Sequence, residues 1–206
     1  MSGDVHLYPA RGSAATRLRP HLYSTDLFFA TESAGGSPRS GHCRTMDAVS
    51  KEQRLIEVSS SAVIRSSREA VWRHMTRVSD WYRWYPGLHG TSADASVTGA
   101  GVEWRSTGQM GRMLYRGIEE VTDYRLLNAL EIEGCRRPWL RWMRLRFDLS
   151  AEGPHCRLTV SIEAIPSMWV VGRILLSGLV RRRLQAEVDA VTERLRSYVE
   201  NTMPYH

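Results

Sequence analysis

The sequence predicts an α+β domain in which a curved antiparallel sheet of about seven strands wraps one long C-terminal helix. Three observations carry that expectation. Residues Ser167 to Asn201 hold an apolar stripe of Val170, Ile174, Gly178, Leu184, Val188, Val191, Leu195 and Tyr198, spaced mostly by three and four, so these positions share one helical face. The segments before it alternate apolar and polar residues up to Pro166, as half-buried strands do. The stripe needs a dry partner, and the apolar face of those strands is the only large one the chain offers. A sheet curled around a helix encloses a space, and such spaces tend to hold ligands.

Residues 1–50 show no sustained period and are broken by Gly12, Pro20, Gly35, Gly36, Pro38 and Gly41 among serines and threonines. They read as a disordered or weakly ordered extension, with Leu22 to Ala30 as at most a transient element, and residues 51–206 as the domain. Met46 stands just before the first strand, so residues 1–45 are equally readable as an upstream start. The first strand runs from Leu55 to Ile64. Ser66 sits three residues before Glu69, a capping-box spacing that opens a helix through Ala70, Val71, Trp72, Met75 and Val78. Asp80 opens a second short helix bearing Trp81, Tyr82, Trp84 and Tyr85, which Pro86 and Gly87 stop.

Strands then follow over Gly90 to Ser96, Val102 to Met110, Met113 to Asp123, Leu127 to Gly134, Trp139 to Ala151 and Cys156 to Ile165. Gly111 and Arg112 make a tight hairpin turn between two of them. Trp139, Met143, Leu145, Phe147 and Leu149 mark the dry face of one strand, and Leu158, Val160 and Ile162 that of the next. Arg144, Arg146 and Asp148 point the other way.

Composition excludes several classes. A domain of about 155 residues buries roughly 68–70% of its unfolded surface and needs no metal or disulfide to fold. Cys43, Cys135 and Cys156 are odd in number and form no CxxC, which fits a reducing cytoplasm. Met168 to Val180 is too short to span a bilayer and contains Arg173. Net charge is +6, carried by arginine apart from Lys51. Arg181 to Arg183 offer a site for phosphate groups, but Glu187, Asp189 and Glu193 follow at ion-pairing distances on the same helix, so specific nucleic-acid binding is not expected.

The order of strand, two short helices, six strands and long helix resembles the START-like (SRPBCC) superfamily with the helix-grip fold. Within it the chain looks most similar to the polyketide cyclase/dehydrase and lipid-transport-like proteins. The resemblance rests on Ile64 to Trp72, where Glu69, Ala70, Val71 and Trp72 enter the first helix. It also rests on Asp80, Trp81, Tyr82, Arg83, Trp84, Tyr85, Pro86 and Gly87, and on Gly99, Ala100 and Gly101 ahead of a strand, and it extends over residues 54–201. It implies a cavity for small apolar or amphipathic molecules between sheet and helix. It also implies relatives that act as co-chaperones, quinone binders or ribosome-directed toxins, and a minority that cyclise or dehydrate aromatic substrates.

The candidate ligand-lining residues are Trp104, Tyr115, Met143, Phe147, Val160, Ile174 and Gly178, each of which is equally readable as core. Glycine inside a helix costs about 1 kcal/mol relative to alanine, so Gly172 and Gly178 suggest a packing demand. Tyr115 and Glu119 share one strand face, and together they are the candidate proton-transfer pair of a cyclase. Glu119 reads equally as a solvated charge at the end of a twisted strand. The aromatic cluster has three readings, as cavity gate, membrane contact or core, and the gate is preferred because Trp84 and Tyr85 cannot both face inward from a one-turn helix. His74, His89 and His155 lack metal-ligand spacing, no GxSxG occurs, and no glycine-rich loop opens a helix. Neither metal nor cofactor is therefore expected. The leading expectation is a carrier or sequestering protein for a small hydrophobic ligand, lipid, quinone or polyketide-like. An aromatase/cyclase and an arginine-surfaced interaction protein are the alternatives. A transient membrane-surface contact and either a monomer or a homodimer are compatible with this reading.

Overall fold

The computed structural model describes residues 55–93, 96–135, 139–167 and 173–202, the last span in its side chains from residue 178 onward. The extension expected over residues 1–50, Gly172 and Val170, and the side chain of Ile174, lie outside the described residues.

Strand β1 (Ile56–Ile64) is followed by helix α1 (Arg68–Thr76) and a 3₁₀ helix (Val78–Arg83). Six strands come next, β2 (Leu88–Thr91), β3 (Glu103–Met110), β4 (Met113–Arg125), β5 (Ala129–Cys135), β6 (Leu140–Glu152) and β7 (His155–Pro166). Helix α2 (Arg173–Thr202) closes the described chain. All seven strands form one antiparallel sheet in the order β1-β7-β6-β5-β4-β3-β2, so the first strand pairs with the last. This is the helix-grip architecture expected from the strand alternation and the helical stripe. Among the described residues, no helix is long and apolar enough to cross a membrane.

The inner face follows the predicted parity except at Trp139, which lies just before β6 with φ of 64° and is exposed, because the register shifts between Leu140 and Trp142. Leu145, Phe147, Leu158, Val160 and Ile162 are fully or almost fully buried, each burial stabilising the fold by roughly 1.5–3 kcal/mol. On the outer face Arg144 lies 2.9 Å from Glu133 and 3.3 Å from Glu131, while Arg146 pairs with Asp148 at 2.8 Å. Charges of opposite sign thus alternate across neighbouring strands, a cross-strand pattern that favours this register.

Helix α2 packs directly on β1 and β7. Leu184, Val188, Val191 and Leu195 are buried as the stripe requires, Val199 joins them, and Tyr198 is half-buried with its ring edge-on to His74. Polar ties hold the helix to β1 and its exit. Gln185 donates to the Ser59 carbonyl at 2.9 Å, and Glu200 accepts from the Arg65 backbone N–H at 2.9 Å.

Four expectations are corrected. The N-cap of α1 is Ser67, whose hydroxyl accepts from the Ala70 N–H, because the Ser66 N–H turns back to the Ile64 carbonyl and leaves the next serine at the helix mouth. The second strand is Leu88–Thr91, since pairing with β3 begins at Leu88 opposite Gly108. Ser167 does not start the last helix; its N–H donates to the Trp139 carbonyl and prolongs the β7 pairing. Trp84 and Tyr85 are both buried, because the 3₁₀ helix ends at Arg83 and the non-helical backbone of Trp84 redirects the chain. Tyr82 is the aromatic left exposed. Trp81, Trp84 and Tyr85 therefore form core under the sheet, with Trp81 ringed by Trp84, Tyr85, Trp104 and Phe147, and the gate reading is withdrawn.

Candidate functional site

Because α2 rests on β1 and β7, its first half stands away from the β3–β4 hairpin. The gap is a half-open apolar groove of about 520 Å³, within the usual range of small-molecule pockets. The hairpin supplies Gln109, Met110, Gly111 and Tyr115, and the loop before β2 supplies Pro86 and Gly87. Trp139 and Leu140 at the start of β6 form a third wall, opposite Leu179, Val180, Arg183, Leu184, Ala186, Glu187 and Ala190 of α2. Among the described residues, the charged groups facing the groove are one arginine and one carboxylate. Arg183 sits at the rim, its Nη1 3.9 Å from where a Gly111 Cβ would stand. Glu187 accepts a hydrogen bond from the Tyr85 hydroxyl at 2.8 Å.

Behind Tyr85 lies a second, much smaller space of about 10 Å³, about the size of one water, between Trp81, Leu88, Trp104, Ser106, Glu119, Ile132 and Met143. Glu119 is buried there and accepts a 2.6 Å hydrogen bond from the Ser106 hydroxyl. Glycines make room for these inward polar groups. A Cβ on Gly117 would stand 2.7 Å from Glu119 Oε1, and one on Gly108 would stand 2.7 Å from the Tyr115 hydroxyl. The Tyr85 ring borders the inner space while its hydroxyl reaches Glu187 in the groove, so this side chain divides the two volumes.

The residues singled out from sequence separate accordingly. Tyr115 lines the groove, whereas Glu119 lies in the inner space. The two share the inner face of β4 but not one pocket. Trp104 and Met143 border the inner space, and Phe147 and Val160 are fully packed core. Gly178 is exposed, with nothing among the described residues within 4 Å of a would-be Cβ, and it is not among the described residues that line the groove. The groove is instead built largely by residues that parity and period did not single out. Ala186 and Ala190, small residues four apart beside the apolar stripe, were the available signal for a helix surface that leaves space.

No histidine or cysteine faces the groove among the described residues. Burial holds the His74 imidazole below its ordinary pKa, Arg77 and Arg73 add to this, and Asp80 opposes it. Burial likewise pushes the Cys156 thiol up, which makes it a poor nucleophile. Among the described residues no group of acidic, histidine or cysteine side chains is placed to hold a metal ion. What this arrangement can do is desolvate an apolar body while offering a guanidinium at its mouth.

A family profile described as polyketide cyclase / dehydrase and lipid transport matches residues 56–200. No curated protein matches the chain. Solved structures share the fold at low identity. A protein from Thermus thermophilus superposes with a TM-score of 0.61 at 17% identity, covering 72% of this chain and 99% of its own. The Zhui aromatase/cyclase from Streptomyces sp. R1128 gives 0.59 at 11% identity, over 72% of this chain and 95% of that one. A START superfamily protein from Mycobacterium smegmatis gives 0.58 at 16% identity, over 71% and 99%.

Proposed function

The chain belongs to the polyketide cyclase/dehydrase and lipid transport family, and from that premise we propose that it binds and carries a small hydrophobic molecule in the groove between the β3–β4 hairpin and α2. The observation that carries this reading is the groove itself, roomy and walled almost entirely by apolar side chains. Burying a ligand there gains roughly 25 cal/mol per Å² of apolar surface removed from water, without any bond being made. Apolar walls select for volume, so the ligand class is lipid, quinone or polyketide-like. The free thiols of Cys135 and Cys156 suit a cytoplasmic carrier.

Ala190→Trp tests the reading. The indole would occupy the groove from its helical wall without touching the buried stripe. After exposure to mixed lipids, quinones and aromatic polyketides, native mass spectrometry should find bound ligand on the wild type and at least about tenfold less on the variant. Equal loading of both proteins would reject the groove as the site.

A second reading, an aromatase/cyclase, draws on the Ser106–Glu119 hydrogen bond and on Tyr115 at the groove wall. In it the Tyr115 phenol orients a carbonyl, and the Glu119 carboxyl moves a proton once a substrate displaces Tyr85. Glu119→Gln keeps the hydrogen bond to Ser106 but removes the acid, and turnover of a polyketide-like substrate should fall by about 10²-fold or more. Unchanged turnover would exclude Glu119 from the chemistry.

A further inference from the structure

The rim of the groove gathers two kinds of side chain that a solitary soluble surface normally separates. Trp139 and Leu179 line the mouth and are 40% and 56% exposed, and Met113 and Leu114, which follow the Gly111 turn, are 45% and 75% exposed. Arg183 stands among them, and further arginines are their neighbours along the chain. Arg112 lies in the same turn, Arg141 follows Leu140, and Arg181 to Arg183 follow Leu179 on α2; all five are exposed, and none makes an ion pair among the described residues. Of the acidic residues that the sequence sets behind the triplet, Glu187 hydrogen-bonds Tyr85, Asp189 hydrogen-bonds Gln185 and Glu193 pairs with Arg196.

We infer that this rim docks on an acidic phospholipid surface, with Met113, Leu114, Trp139 and Leu179 entering the headgroup–acyl boundary while the arginines meet lipid phosphates and carboxylates. Tryptophan and arginine suit that depth, the first by its amphipathic ring and the second by attraction to anionic leaflets. Aliphatic Leu114 and Leu179 have no use against a nucleic-acid backbone, which favours lipid over RNA as the partner. Docked in this way, the groove opens onto the bilayer, so the inference rests on the carrier reading and names where its cargo is exchanged.

The test is co-sedimentation of the full chain with vesicles of phosphatidylcholine alone or mixed with phosphatidylserine. Binding is expected to the mixed vesicles, to weaken as salt rises, and to fall about tenfold in Leu114→Glu and in the pair Arg181→Gln, Arg182→Gln. None of these residues lines the groove, so ligand loading read by native mass spectrometry should persist. Absence of vesicle binding, equal binding to both vesicle types, or full binding by Leu114→Glu would overturn the inference. Binding to an RNA homopolymer in place of vesicles would do the same. Absence of vesicle binding by the wild type with its ligand loading intact rejects the docking surface alone, whereas loading that ignores Ala190→Trp rejects the carrier reading.

Discussion

Trp81→Ala is expected to destabilise the domain by about 3–5 kcal/mol, the usual cost of emptying a buried aromatic site. Trp81 is the hub of the aromatic core, with ring centroids 5.2 Å from Trp84, 5.8 Å from Tyr85 and Phe147, and 6.0 Å from Trp104. Its indole N–H also donates to the Met75 carbonyl at 2.8 Å, so the substitution strands a buried acceptor as well as opening a cavity. Total stability of such domains is about 5–15 kcal/mol, and the melting temperature should fall by roughly 6–20 °C. Trp81→Phe retains much of the ring contact but not the donor, and should fall between the two. Calorimetry decides the matter; a loss below about 1 kcal/mol for Trp81→Ala would mean that these rings do not hold the 3₁₀ helix against the sheet.

Gly87→Ala should cost about 2–5 kcal/mol by a different route. Gly87 has φ of 71°, where a side chain is strained by about 1–2 kcal/mol. Its Cβ would also stand 2.3 Å from the Gln109 carbonyl oxygen, an atom pinned there because the Gln109 N–H donates to Gly87 at 2.7 Å. Relieving that clash means moving backbone that walls the groove, at a further cost of about 1–3 kcal/mol. Gly153→Ala is the control, since Gly153 has φ of 60° but nothing within 4 Å of its Cβ, and should show the strain alone. Urea titration of both variants separates the terms. If the two cost the same, close approach is not what requires glycine at position 87.

The layout of the sheet was legible because strand parity reports burial directly. Leu158, Val160 and Ile162 could face only one way, and Gly111 with Arg112 could only turn. The two buried aromatics were misjudged for a physical reason: helical geometry was extended past Arg83 through Tyr85, and Trp84 leaves it. The N-cap slipped by one because two adjacent serines both satisfy a local spacing, and only the chain direction at Ile64 distinguishes them. The groove was harder to locate than the core. Alternation tells which side chains point inward, but it does not tell whether an inward side chain meets another or meets space. Phe147 and Val160 meet partners, whereas Leu184 faces the groove on one side, and that difference depends on where α2 lands on β1 and β7.

That landing has a consequence for how the protein is made. Ile56 pairs with Ala164, so the opening strand waits for nearly the whole domain to be synthesised before it finds its neighbour. At a synthesis rate of about 5–20 residues per second, the wait is roughly 5–20 seconds, during which an apolar ribbon emerges from the ribosome with its edge unprotected. Folding of the sheet is therefore completed only after its final strand appears.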